Sequence, residues 1–232
     1  MQALIEYLNS EYDIRFNDNS LLIEAFTHSS YVNEHRHLNL TDNERLEFLG
    51  DAVLEISVSD YLFHEYTHHP EGLLTRLRSE IVRENSLYHF SLDCGFDRYV
   101  RLGKGEEQNA GRKRPSLLAD LFEAFLGSLY LDQDLKAVKE FLSKVVFPKI
   151  KDGVFSYGMD FKTKLQEYLQ QDGEVSIVYE LIDSFGPAHD RFFVVQVLAG
   201  GEVLGQGKGR TKKQAEQMAA KDALEDIITN ES

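Results

Sequence analysis

Glu44, Glu47 and Asp51 stand at i, i+3 and i+7, a spacing that aligns three carboxylates along one stripe of a helix. Like charges so placed repel, and by more where water is excluded, so such a stripe calls for a compensating partner. A second acidic pair, Asp120 and Glu123, lies at i, i+3 inside the very apolar run Leu117 to Leu131. Acids are seldom left unpaired on a stripe that otherwise reads as buried. If the two helices face one another, Glu47, Asp51, Asp120 and Glu123 gather hard oxygen ligands that suit Mg²⁺ or Mn²⁺ better than zinc. An ion of that kind fits phosphodiester hydrolysis, where it activates water and stabilises charge on phosphate oxygens. Either acidic group alone also suits a solvated helix face, and spacing by itself names neither a substrate nor a reaction.

A second chemistry lies near the C-terminus, in the basic stretch Gly205 to Glu216. Thr211 and Gln214 have capping-box spacing, which starts a helix at Thr211 and puts Lys212 and Lys213 in its first turn. Cations there oppose the helix dipole at about 0.3–1 kcal/mol each. A bound phosphate reverses that sign, because helix-end N–H groups and lysines then favour the same anion. A solvated basic turn is the plainer alternative.

Other motifs carry less. His64-Glu65-Tyr66-Thr67-His68 matches the H-E-x-x-H pattern of zinc proteases, but Pro70 follows almost at once and no distinct third ligand presents itself downstream. Gly103-Lys104 and Gly207-Lys208 lack both the first glycine of a nucleotide loop and the Ser or Thr that follows its lysine. The single cysteine, Cys94, excludes an intramolecular disulfide and a thiolate metal cluster, and reads as a small buried residue.

The elements that must position these groups divide the chain. Residues 1–152 show apolar positions at three- and four-residue spacing, as in Leu46, Leu49, Val53 and Ile56 and in Leu118, Leu121, Phe122, Phe125 and Leu129. Gly103 to Pro115, with Arg112-Lys113-Arg114, reads as an exposed loop, after which a helix starts near Pro115. Residues 153–159 lack apolar periodicity and read as a linker. Residues 160–229 then read as a helix (160–171), strands at 175–185, 192–199 and 202–207, and a helix from Lys212 to about Ile228. That order, α-β-β-β-α, describes an α+β unit with two helices on one face of an antiparallel sheet.

Hydrophobic residues at 42% of 232 argue for folded domains rather than disorder. With 25 basic against 39 acidic residues the net charge is −14, which disfavours nucleic acid except where basic residues gather locally. No secretory signal or membrane span is visible, so the expected compartment is the cytoplasm and the sequon at Asn39 is accidental.

The run Asn43-Glu44-Arg45-Leu46-Glu47-Phe48-Leu49-Gly50-Asp51-Ala52-Val53-Leu54 is very similar to the signature of the ribonuclease III family. Thr27 to Tyr31, Pro70-Glu71-Gly72 with Leu77-Arg78, and Leu117 to Ala124 add matches in the expected order. Gly205 to Glu216 resembles the C-terminal signature of a double-stranded RNA-binding domain, and Gly186 to Phe192 resembles its minor-groove loop. The resemblance implies an all-α endonuclease domain followed by an α+β (α-β-β-β-α) RNA-binding domain. It implies a magnesium-dependent endoribonuclease, Mn²⁺ substituting, that leaves 5′-phosphate and 3′-hydroxyl ends and serves ribosomal and messenger RNA processing.

By position, Glu47, Asp51, Asp120 and Glu123 are the implied metal ligands, with Asp51 and Glu123 foremost in catalysis and Glu44 and Glu71 in supporting roles. Phe48 would pack at the interface of a nuclease homodimer, although ordinary intrachain core suits a phenylalanine equally well. Thr163, Gln166, Glu167, Pro187, His189, Lys208, Lys212, Lys213 and Gln214 are the implied RNA-binding residues. Contacts of this kind read the A-form shape of the duplex and carry little sequence information. The rival readings are a non-catalytic double-stranded RNA-binding protein with a degenerate nuclease domain, and a metalloprotease built on His64 and His68.

Overall fold

The computed structural model describes residues 1–151, 161–170, 175–187 and 191–230. The expected linker and His189 lie outside the described residues, as does the side chain of Glu167. The chain divides into two compact units, Met1–Asp152 and Gly153–Ser232.

The first unit is helical, as expected. Its helices are α1 (Gln2–Tyr12), α2 (Asn19–Ala25), α3 (Ser29–Glu34), α4 (Glu44–Glu65), α5 (Glu71–Val82), α6 (Glu84–Asp93), α7 (Lys104–Gln108), α8 (Pro115–Asp132), α9 (Leu135–Val145) and α10 (Phe147–Lys151). Pro115 opens α8, where its missing N–H costs nothing and its fixed φ suits a helix. From Leu117 to Leu129 this helix is buried on almost every side, packed against α2, α4, α6 and α9. Its Phe125 ring lies 4.9 Å from that of Phe96 and 5.0 Å from that of Phe141, centroid to centroid. Each such fully buried ring stabilises the fold by about 1.5–3 kcal/mol.

Two glycines set how closely α4 and α8 cross. A Cβ on Gly50 would stand 1.8 Å from the carbonyl oxygen of Glu123, and one on Gly127 would stand 2.2 Å from that of Leu46. The helices therefore touch backbone to backbone, and residues one turn away on each are brought together. The entry to α4 is fixed by the buried Asn43, whose N–H donates to the Thr27 carbonyl, and by Asp42, which accepts from the Glu44 N–H.

Gly103 to Pro115 differs from the expected exposed loop. It contains α7 and a 3-10 turn at Gly111–Lys113, held by ion pairs of Arg112 with Glu107 and of Arg114 with Glu106. Glu34 accepts hydrogen bonds from the N–H groups of Lys104 and Gly105, capping α7 from α3. Glycines and like charges imitate a loop locally; the partners that order this one lie outside it in sequence or several residues away.

The second unit has the expected order: α11 (Phe161–Leu169), β1 (Ile177–Phe185), β2 (Phe192–Ala199), β3 (Glu202–Gly209) and α12 (Lys212–Asn230). The strands form an antiparallel sheet in the order β1-β2-β3. Gly200 and Gly201 both have positive φ, as a tight hairpin between β2 and β3 requires. β3 runs two residues beyond its expected end. Gly205, Gly207 and Gly209 face α12, where a Cβ on any of them would come within 2.1–2.6 Å of backbone nitrogens of Ala223, Ala219 and Ala215. Glycines that read as strand breakers are thus what lets the helix lie directly on the strand.

Candidate metal centre and nucleic-acid interface

The α4/α8 crossing places Glu47, Asp120 and Glu123 around one point. Each offers a carboxylate oxygen, these oxygens all lie within 4.8 Å of one another, and all three residues are half-buried. Asp51 and Glu44 are exposed and stand outside that trio. Their charges nevertheless act on it, Glu44 on Glu47, and Asp51 on both Glu47 and Glu123. Glu71 is also exposed, in the first turn of α5, where it accepts from the Thr75 hydroxyl at 2.9 Å; it is not part of the cluster.

Electrostatics registers the crowding. Burial, then Asp51, Asp120 and Glu47, push the Glu123 carboxyl up to about 8. Burial and neighbouring acids also raise Glu47, with Asp120 the leading neighbour. Asp120 is raised by burial and by Glu84, against an opposing pull from Arg114. Glu84, at the first turn of α6, is an acid that sequence reading passes over, since nothing in its spacing links it to the acids of α4 or α8. Half-buried carboxylates that, among the described residues, gather with no histidine or cysteine ligand fit a small, hard divalent cation, which would remove the repulsion that raises these groups. Glu44 and Glu47 also occupy the first turn of α4, where the helix dipole favours negative charge.

Phe48, next to Glu47 on α4, is 82% exposed, which rules out the intrachain-core alternative. Ile56 (53%) and Phe63 (67%) extend an exposed apolar line along α4.

In the second unit the Thr211 hydroxyl accepts from the Gln214 N–H at 3.1 Å, while the Gln214 side chain accepts from the Arg210 N–H at 2.7 Å. The cap therefore orders the start of α12, with Lys212 and Lys213 exposed in its first turn. Thr163 and Gln166 are exposed on α11, and Pro187 is exposed after β1, beside Gly186 with φ +97°. Lys208 lies near the ends of the β1–β2 connection. It pairs with Val194 on the sheet face opposite α12, its ammonium 4.6 and 4.5 Å from the ring centres of Phe185 and Phe192.

The protease pattern fails in three dimensions. α4 ends at Glu65, so His68 lies beyond the helix and cannot share a face with His64, whose Nδ1 is 2.8 Å from the Asp60 carbonyl. Cys94 is fully buried and its thiol is pushed up to about 12, chiefly by burial, which leaves it unreactive. Among the described residues no helix is long and apolar enough to cross a membrane.

Comparison with known proteins places this geometry. Residues 18–150 match the family model described as Ribonuclease-III-like, and residues 161–227 match the double-stranded RNA binding motif. The chain is 61% identical over 225 residues to Ribonuclease 3 of Latilactobacillus sakei, covering 97% of this chain and 98% of that one. It is 60% identical over 220 residues to Ribonuclease 3 of Enterococcus faecalis, covering 95% and 96%. Among solved structures, a nuclease domain of ribonuclease III from Campylobacter jejuni, studied for flexibility in a region involved in dimer formation, matches with TM-score 0.57 and 35% identity. That match covers 62% of this chain and 99% of the other.

Proposed function

Because the chain belongs to the ribonuclease III family of double-stranded RNA endoribonucleases, we propose that it hydrolyses phosphodiester bonds of duplex RNA at the carboxylate centre on α4 and α8. The observation that carries this is the convergence of Glu47, Asp120 and Glu123 within 4.8 Å at a glycine-set crossing.

Glu47, Asp120 and Glu123, with Asp51 at the exposed rim, would hold Mg²⁺, or Mn²⁺ in its place. When bound, such an ion supplies a more acidic water and neutralises charge on phosphate oxygens. The chain's own contribution is placement. α4 and α8 hold their carboxylates at a backbone-determined separation, and burial excludes part of the competing water. Without a cation the same carboxylates repel a phosphate, so binding in the centre and cleavage depend together on the ion. Glu44 and Glu71 are proposed in supporting roles at the periphery.

Lys212 and Lys213 at the start of α12 are the proposed phosphate contacts of the second unit, and Thr163, Gln166, Glu167, Pro187, His189 and Gln214 belong to the same proposed surface. The position of Lys208 over two rings on the opposite sheet face supports a separate role for it. The exposed Phe48 line supports a homodimer of nuclease units. Cleavage would leave 5′-phosphate and 3′-hydroxyl ends, in cytoplasmic processing of ribosomal and messenger RNA. The degenerate-nuclease alternative is disfavoured because every proposed metal-ligand position carries a carboxylate.

The test is incubation of long double-stranded RNA with the protein in Mg²⁺, beside an EDTA control and Glu123→Ala. Cleavage that disappears in both controls, with end-labelling that reports 5′-phosphate, is the expected result. Intact RNA with folded wild-type protein would remove the nuclease reading.

A further inference from the structure

The sheet of the second unit has two unlike faces. Val195, Val197, Gly205, Gly207 and Gly209 are buried on the side of α12. On the other side the strand register sets out four rows: Val178, Leu198 and Val203; Glu180, Gln196 and Gln206; Asp183, Val194 and Lys208; Phe185 and Phe192. Val178 and Val203 are 46% and 51% exposed, and Phe185 is exposed at the opposite end of the same face. The charges are sorted by strand, acids on β1 and the cation on β3.

We propose that this face docks on the same face of a second copy of the chain, about a twofold axis running along the strands. That operation exchanges β1 with β3 and leaves every row at its own level. Val178 then meets the copy's Val203, Leu198 meets Leu198, Glu180 faces Gln206, and Asp183 faces Lys208 twice over. Such a contact is isologous, as closed dimers require, and matches the aligned packing of two β-sheets. The other twofold, across the strands, lays β1 on β1 and brings Glu180 and Asp183 against their own kind, so charge selects the first. The same acids on β1 disfavour RNA as the occupant.

Size sets the strength. Three strands about 4.8 Å apart and eight residues rising about 3.3 Å each give a face of roughly 400 Å² per copy. That is roughly 800 Å² in all, under the about 1,200 Å² of stable complexes, so the contact is transient and acts between chains already held close, for example along one RNA duplex.

The experiment is mild oxidation of the full chain carrying Val178→Cys and Val203→Cys. Within one sheet these positions lie two strands apart, about 9–10 Å, beyond disulfide reach, so any bond joins two chains; Cys94 is buried and does not compete. A covalent dimer is expected on non-reducing gels, its yield rising with concentration. Adding Asp183→Lys should lower the yield about tenfold, and Asp183→Lys with Lys208→Asp should restore it. No covalent dimer at any concentration, or a yield indifferent to Asp183→Lys, overturns the proposal. Suppression of the bond by a short RNA duplex overturns it too, because the face would then belong to RNA.

Discussion

Replacing Gly50 by alanine adds one methyl group where α4 and α8 have no room for it. The new Cβ would sit 1.8 Å from the Glu123 carbonyl oxygen, against an ordinary contact of 3.4 Å or more, so the helices must part locally by about 1.6 Å. No rotamer change relieves the clash, because both partners are main chain. Alanine's helix preference favours the variant by about 1 kcal/mol, while overpacking a core costs about 1–3 kcal/mol and more where the neighbour is rigid. The net expectation is a loss of about 2 kcal/mol, a fall in Tm of roughly 4–8 °C for a unit this size. The chemical effect should exceed the thermal one. A displacement above 1 Å separates Glu47 from Asp120 and Glu123, and misplacement on that scale costs about 10²-fold in rate. Circular dichroism melting and Mg²⁺ titration of duplex cleavage measure the two effects. Gly72→Ala is the control, since nothing lies within 4 Å of its Cβ position. Unchanged melting and unchanged Mg²⁺ dependence in Gly50→Ala would refute the idea that main-chain contact sets the metal-site spacing.

Further outcomes follow from the same structure. The Glu123 carboxyl, raised to about 8, binds its proton more tightly folded than unfolded, a stabilisation complete below about 4.5 and lost as pH rises through 8. Metal-free protein should therefore lose thermal stability across that window, Glu123→Gln should flatten the loss, and Mg²⁺ should raise Tm more at the alkaline end. Lys212→Ala with Lys213→Ala should weaken duplex binding and reduce its salt slope by about 1–2, yet raise the free protein's stability by about 0.3–1 kcal/mol per lysine by relieving the α12 dipole; an unchanged slope counts against the phosphate contact. Phe48→Glu should convert the proposed nuclease dimer to monomer in sedimentation while leaving helix content intact, because the side chain is 82% exposed in the single chain.

The acids of α4 and α8 and the cap of α12 could be read from spacing because each depends on neighbours within one helix. The crossing that unites them could not. Gly50 and Gly127 look like mild helix breakers until the opposing backbone is seen, and Glu84 reaches Asp120 only through the packing of α6 beside α8. Local composition misled at Gly103 to Pro115, where Glu34 and two arginine pairs order what reads as a loop, and at the end of β3, where alternate glycines continue the strand. Phe48 is undecidable from sequence because core and interface both favour phenylalanine; its exposure removes the core alternative and leaves the interface as a proposal.

The glycine–alanine seam between β3 and α12 also bears on how the second unit comes apart. With main chain against main chain, no side chain remains to cover the strand if the helix lifts, so partial detachment would expose bare amides and carbonyls to solvent. Fraying of α12 is thereby penalised, and the seam should open in one cooperative event, with amides of Gly205 and Gly207 and of Ala219 exchanging hydrogen together and slowly. The lysines at the head of α12 are mounted on an element that stays docked as long as the unit is folded, so release of a polyanion from these proposed contacts would proceed by rupture of the contacts themselves and by ionic competition, without melting of the helix that presents them.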